Sequence, residues 1–290
     1  MKKESNANIS VFILPTLAIY TLLIIVPIVF SIYYGMTDWD GIGKQTFIGI
    51  SNFLNIFKDT DFLISFKNTI IVTLISILLQ IPIGLVISFL LSRGIKFYKT
   101  FRAIYFLPVV IAPIAIGLMF SLIFNGQIGA LNSLLKDIGL QSFQKAWLSD
   151  PKVVLYAVMT PQVWQFIGLY IIIFIAAIQN IPEEIFESAE IDGASSITIF
   201  FRIVIPMLWD VIKISIILCF TGSLKSFDYS WIMTQGGPGV SSSYLGVYMF
   251  KSAFINTKFG IGSATAIVIL ATSLIFTVIF QKIASRDIYE

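Results

Sequence analysis

The chain has 290 residues, of which 57% are hydrophobic and only 12% charged, against roughly 25% charged in an ordinary soluble domain. That is too little charge to wet the whole surface, so much of it must face lipid, and the expected fold class is an all-α polytopic membrane protein. The net charge of +3 is small and scattered, which excludes a nucleic-acid binder. One cysteine, Cys219, and no histidine exclude a disulfide framework, a His- or Cys-rich metal site and His-dependent acid–base catalysis.

A membrane-crossing helix needs about 20 apolar residues. Runs of that kind lie at 11–34, 69–91, 104–124, 153–178, 208–224 and 261–283. Six spans is the reading, although five or seven fit the same runs. The first follows Met1-Lys2-Lys3 but outruns a signal-peptide core, and no small-residue cleavage site comes after it. It is expected to stay as an anchor. Pro82 falls in the second run, Pro108 and Pro113 in the third and Pro161 in the fourth, which membrane helices tolerate where neighbours satisfy the freed carbonyls. The fifth run is the least clean, because Asp210 and Lys213 sit at its start. With no repeat, low-complexity stretch or linker, residues 1–290 are expected to form one membrane domain.

Arg93, Lys96, Lys99 and Arg102 crowd the short connection between the second and third runs, which places it in the cytoplasm by the positive-inside rule. Both termini and residues 180–206 then lie inside, while 37–67, 125–152 and 225–260 lie outside. The lysine-plus-arginine tally is nearly even between the two sides. The orientation rests on the cluster and on all four arginines falling inside.

The inner segment 181–206 has a character of its own. Pro182 suits a first helical turn, and Glu183 and Glu184 favour the positive end of the helix dipole. Gly193 suits the C-terminal position where a left-handed residue is usual. Ser195 or Ser196 can then cap a second helix, in which Ile199, Phe200, Ile203 and Val204 recur at helical spacing. The product is a helix–turn–helix with small residues at its corner. It is either a partner-docking element or a connection lying on the membrane, since small residues permit close approach without naming a partner.

Glu187-Ser188-Ala189, then Asp192-Gly193-Ala194, Phe200, Arg202, Ile203 and Pro206, resembles the EAA loop of binding-protein-dependent ABC importers. The likeness is ungapped from 187 to 206 and departs at Ser188, where the pattern usually has the equally compact Ala. Three further stretches resemble the sugar-importing branch, the maltose- and glycerol-phosphate-type permeases. They are Phe47-Ile48-Gly49-Ile50-Ser51-Asn52-Phe53 with Phe62 and Asn68-Thr69; Phe101-Arg102 through Tyr105-Phe106-Leu107-Pro108; and Phe227-Asp228 with Met233-Thr234-Gln235-Gly236-Gly237-Pro238-Gly239. The family usually has Gly at position 235.

The resemblance implies a type I importer permease in the bacterial cytoplasmic membrane, forming half of a sugar pathway with a second homologous permease. An external sugar-binding protein would deliver solute, and a cytoplasmic ATPase dimer would receive the coupling helix. Glu187, Ser188, Ala189, Asp192, Gly193 and Ala194 would belong to that docking element, with Asp192 and Gly193 otherwise serving as a turn. ATP and Mg would be held by the ATPase; the sequence has no G-x-x-x-x-G-K-[ST] loop, so this subunit is expected to be non-catalytic and to carry no cofactor. For the solute pathway, aromatic and hydrogen-bonding residues point to Trp164, Gln165 and Tyr170, with Lys225 and Asp228 near the outer end of the fifth run. For Lys225 and Asp228 the competing reading is a place at the membrane interface, and for Trp164 an interfacial anchor. A glycerol-phosphate-type importer, an ATP-independent carrier and a lipid-head-group transferase are the alternatives. The last is weakened because Asp192-Gly193 lacks the Ala-Arg and further aspartates that such an enzyme needs.

Overall fold

A computed structural model describes residues 13–93 and 98–284. Its helices are, in chain order, α1 (Ile13–Gly35), α2 (Ser51–Ile56), α3 (Thr60–Ser92), α4 (Tyr98–Val110), α5 (Pro113–Ile123), α6 (Ala130–Asp137), α7 (Val154–Ile178), α8 (Glu183–Ile191), α9 (Ser196–Met207), α10 (Trp209–Leu224), α11 (Asp228–Thr234), α12 (Leu245–Ile255) and α13 (Phe259–Ala284). A hairpin of β1 (Thr37–Asp38) and β2 (Thr46–Phe47) follows α1, pairing Thr37 with Phe47.

Four helices, α1, α3, α7 and α13, are each long and apolar enough to cross a membrane, and two bent pairs raise the number to six. The pairs correct the expectation of continuous runs at 104–124 and 208–224. Helices α4 and α5 meet at 94° because Pro113 forces the preceding Ala112 into an extended conformation, φ −58° and ψ 133°. At the second break α9 already contains Pro206, and Leu208 at φ −90°, ψ 6° turns the chain by 73° into the next helix. There Asp210 and Lys213 pair at 2.6 Å within the first turn of α10, so the two charges that mar the fifth run neutralise each other. Helix α3 starts well before residue 69, since the Asp59 carboxylate accepts from the Asp61 amide at 2.8 Å and opens the helix in the polar stretch ahead of the apolar run.

The residues fall into two compact units. In one, the described residues up to Leu63 pack with Tyr248–Ala271. Here the buried Asn52 amide donates to the carbonyls of Gly35 at 3.0 Å and Thr37 at 2.8 Å, and Tyr248 donates to Asp59 at 2.6 Å. None of the most apolar stretch of α1 is buried; a helix apolar all round with no protein cover is built to face lipid.

The other unit runs from Ile64 to Val247 and takes in the residues from Thr272 on. Helix α7 is its axis, with 56% of its most apolar stretch buried. One core cluster gathers Val72, Ile116, Val158, Met159, Tyr229 and Tyr244; a second gathers Leu85, Phe89, Phe174, Ile199, Leu208 and Ile212. Gly168 of α7 touches the α4 backbone, where any Cβ would overlap the Tyr105 carbonyl. Segment 240–245 is tied to the start of this part of α3 by Asn68, which donates to the carbonyls of Ser241 and Ser243 at 3.1 Å.

Candidate functional site: a polar cavity and an inner helical loop

The Pro108–Pro113 break leaves carbonyls short of donors: the Pro108 carbonyl keeps a 3.3 Å bond from the Ile111 amide. Gln165 of α7 supplies more, donating to Pro108 at 3.0 Å and Ile111 at 2.9 Å, while its own carbonyl accepts the Tyr229 hydroxyl. With 1% of its surface exposed, Gln165 is fully occupied in holding the bent pair. Trp164, one residue earlier, points the other way, packs on Phe120 and is 42% exposed. Neither is among the residues that line the cavity described next.

A cavity of about 290 Å³ does open between α3, α7, α10 and α11. Tyr170, Lys225 and Asp228, all expected from the sequence, line it. The sequence reading missed Gln80, Gln162, Ser223, Ser226 and Tyr229, which supply most of its neutral hydrogen-bonding groups. Ser226 donates to Gln162 Oε1 at 2.8 Å; Gln80 Nε2 donates to the carbonyls of Gln162 and Val163 at 3.3 Å, and its Oε1 accepts from Cys219 at 3.3 Å. These bonds fix the amides while leaving further donor and acceptor positions. Phe166, Leu169 and Leu218 give the apolar share of the wall. At Gly222 of α10 an added Cβ would meet nothing within 4 Å. A glycine inside a helix costs about 1 kcal/mol relative to alanine, and here its return is open space in the cavity.

The loop at 181–206 obeys local rules closely. Pro182 takes the N-cap position of α8 rather than its first turn, with Glu183 and Glu184 following. At the other end Gly193 adopts φ +76°. The Ala194 amide bonds to the Ala189 carbonyl at 2.9 Å and the Gly193 amide to Glu190 at 3.0 Å, the paired bonds of a Schellman cap. Ser195 caps α9, accepting from the Thr198 amide at 3.2 Å. The six residues singled out here divide by face: Glu187, Ser188, Asp192 and Gly193 are exposed, whereas Ala189 and Ala194 are half-buried against the core cluster that contains Phe89. Ile191, beside them, is 86% exposed.

The described residues combine two broken apolar spans, a polar cavity and a capped helical loop. Residues 80–288 match the family described as the binding-protein-dependent transport system inner membrane component. The chain belongs to that family. The permease is 34% identical over 274 residues to the probable ABC transporter permease protein YurN of Bacillus subtilis, covering 93% of this chain and 94% of that one. It is 32% identical to the diacetylchitobiose uptake system permease protein NgcF of Streptomyces coelicolor, over 90% and 77% of the two chains. Among solved structures, a chain of a bacterial ABC transporter involved in import of the acidic polysaccharide alginate superposes with a TM-score of 0.85 at 20% identity, over 99% of this chain and 98% of that one. Permeases of this family are multi-pass inner-membrane proteins, and the apolar spans of this one fit that description.

Proposed function

We propose that this permease forms half of the pathway of an ATP-driven importer of neutral sugars. It would work as one membrane domain with both termini in the cytoplasm. The observation that carries the reading is the cavity wall. Gln80, Gln162, Ser223, Ser226, Tyr170 and Tyr229 offer uncharged hydrogen-bonding groups beside aromatic rings, the mixture a hydroxylated ring requires. Lys225 and Asp228 bring one charge of each sign to the same wall, which favours a neutral solute over a phosphate ester. Relatives named for uptake of diacetylchitobiose and of trehalose/maltose support the same class.

ATP and Mg would be bound on a separate ATPase, docked on the exposed Glu187–Ile191 face of α8. Supporting this, a nearly bare Ile191 beside a carboxylate is a surface that gains from a protein partner. A second permease and an external binding protein complete the assembly.

The test is reconstitution of the permease with its partner subunits in vesicles and measurement of labelled disaccharide uptake. Uptake requiring ATP and the binding protein is expected, and Gly222→Leu, which fills the cavity, should lower it about tenfold or more. Uptake that proceeds without ATP sinks the importer reading. Uptake blocked by glycerol phosphate but not by neutral sugars sinks the solute class.

A further inference from the structure

Arg93 lies one residue beyond the end of α3 and reaches both helices of the inner loop. Its Nη2 is ion-paired with Glu190 of α8, and its Nη1 donates to Ser196, the first residue of α9. The guanidinium also stands 5.5 Å from the centroid of the Phe89 ring, one turn back on α3, within cation–π range. Its polar partners are 97 and 103 residues away in sequence. By contrast, the Asp210–Lys213 pair closes within a single helical turn. Arginine suits this position because its planar fork holds two acceptors at once, which a lysine ammonium does less well.

Helix α8 buries none of its residues. It rests on the bundle through the half-buried Phe186 and Ala189, and so little buried surface leaves an element free to shift. Arg93 stands where such a shift meets α3. The same helix carries Gln80 into the cavity wall, about 20 Å along the axis at roughly 1.5 Å per residue. Between the two, Pro82 leaves the Leu78 carbonyl without its helical donor and gives the lower part of α3 a place to bend. An ion pair this exposed adds little to stability, so the fold itself does not depend on it.

We propose that Arg93 is a positioning residue of the transport cycle: a strut that passes displacement of α8 to α3, and through α3 to the cavity wall. The inference rests on the ATP-driven reading above. A partner drives a two-state change only through contacts that differ between the states, and the Arg93 contacts are ones that a shift of α8 alters. With the strut cut, docking and ATP hydrolysis continue while α3 no longer follows.

The experiment measures disaccharide uptake and ATP hydrolysis together in the reconstituted assembly. Wild type must first show both; if it does not, the importer reading falls and not the strut. Arg93→Glu is expected to keep the ATPase bound and active while solute carried per ATP falls about fivefold or more, the lower end of allosteric coupling. The exchange Arg93→Glu with Glu190→Arg restores the pair with reversed sign and should recover the ratio to within about twofold. If Arg93→Glu does not assemble, Glu190→Gln decides, since it keeps the size of an exposed side chain and must still lower the ratio. An unchanged ratio in the assembled variant, or a charge exchange no better than the single changes, overturns the proposal.

Discussion

The 181–206 loop and the cavity solve opposite problems. Everything that shapes α8 and α9 lies within a few residues of where it acts: Pro182 and the two glutamates open one helix, Gly193 closes it, and Ser195 opens the next. The cavity wall is collected from α3, α7, α10 and α11, from Gln80 to Tyr229, and no short stretch of sequence contains its pattern. Local chemistry shapes an exposed surface. Packing between helices shapes an internal space.

If that division holds, substitutions in the two regions should fail in different ways. The largest effect is expected from Glu187→Lys. It reverses a charge on the exposed face of α8, so capture of the ATPase from gentle extracts should fall by about a hundredfold or more, in line with loss of a charge pair at an interface. The melting temperature of the isolated permease should not move. A variant that loses stability as well as the ATPase would break the comparison, because Glu187 would then be serving the fold.

Gln165→Leu is expected to do the reverse. It removes the side-chain donor from the Pro108 and Ile111 carbonyls and the acceptor from Tyr229. Pro108 keeps its 3.3 Å bond from the Ile111 amide, so the cost of about 1–3 kcal/mol per unpaired buried group falls on Ile111 and Tyr229. Thermal unfolding in detergent should shift down by several degrees, while the surviving folded fraction still captures the ATPase. An unchanged melting temperature would mean that the bend between α4 and α5 is held by something other than Gln165.

Next comes Gly193→Ala, which places a Cβ at φ +76° for about 1–2 kcal/mol. The cap of α8 should fray, visible as faster amide exchange at Gly193 and Ala194, and ATPase capture should weaken by less than with Glu187→Lys. Equal loss from both would show that the backbone shape of the corner carries as much of the docking as the charged face does.

These outcomes bear on what the sequence alone discloses. Membrane residence and the chemistry of residues 181–206 were readable because each depends on composition or on neighbours in the chain. The bends were half-readable: Pro113 was visible in the sequence, but whether a proline kinks a span or splits it depends on a donor such as Gln165 being placed across from it. Gln165 was singled out as a hydrogen-bonding candidate for the solute pathway; its bonds to the broken backbone are visible only with α4 and α5 in place. Gln80 and Gln162 carried the same signal, an amide inside an apolar run, and went unread. Tyr229 differs, because it lies outside the apolar runs in the stretch after α10 and only the packing of α11 brings it to the cavity.

The smallest effect tests whether local rules shape a second exposed segment as they shape the loop. Asp40 accepts from the amides of Ile42 at 2.9 Å and Gly43 at 2.6 Å, and these backbone donors, Gly43 first, hold its carboxyl below the usual value of 3.8. A group whose folded pKa is depressed contributes its stability above the unfolded value and loses it as the pH falls through the folded one. The turn between β1 and β2 should therefore be unchanged at neutral pH and loosen only below about pH 4. Hydrogen exchange of the peptide spanning 37–47, corrected for the intrinsic pH dependence, should show that acid step in the wild type. Asp40→Asn keeps an acceptor but cannot titrate, so its profile should be flat. A step that persists in Asp40→Asn would assign the acid sensitivity to another group and leave this turn governed by packing, as the cavity is.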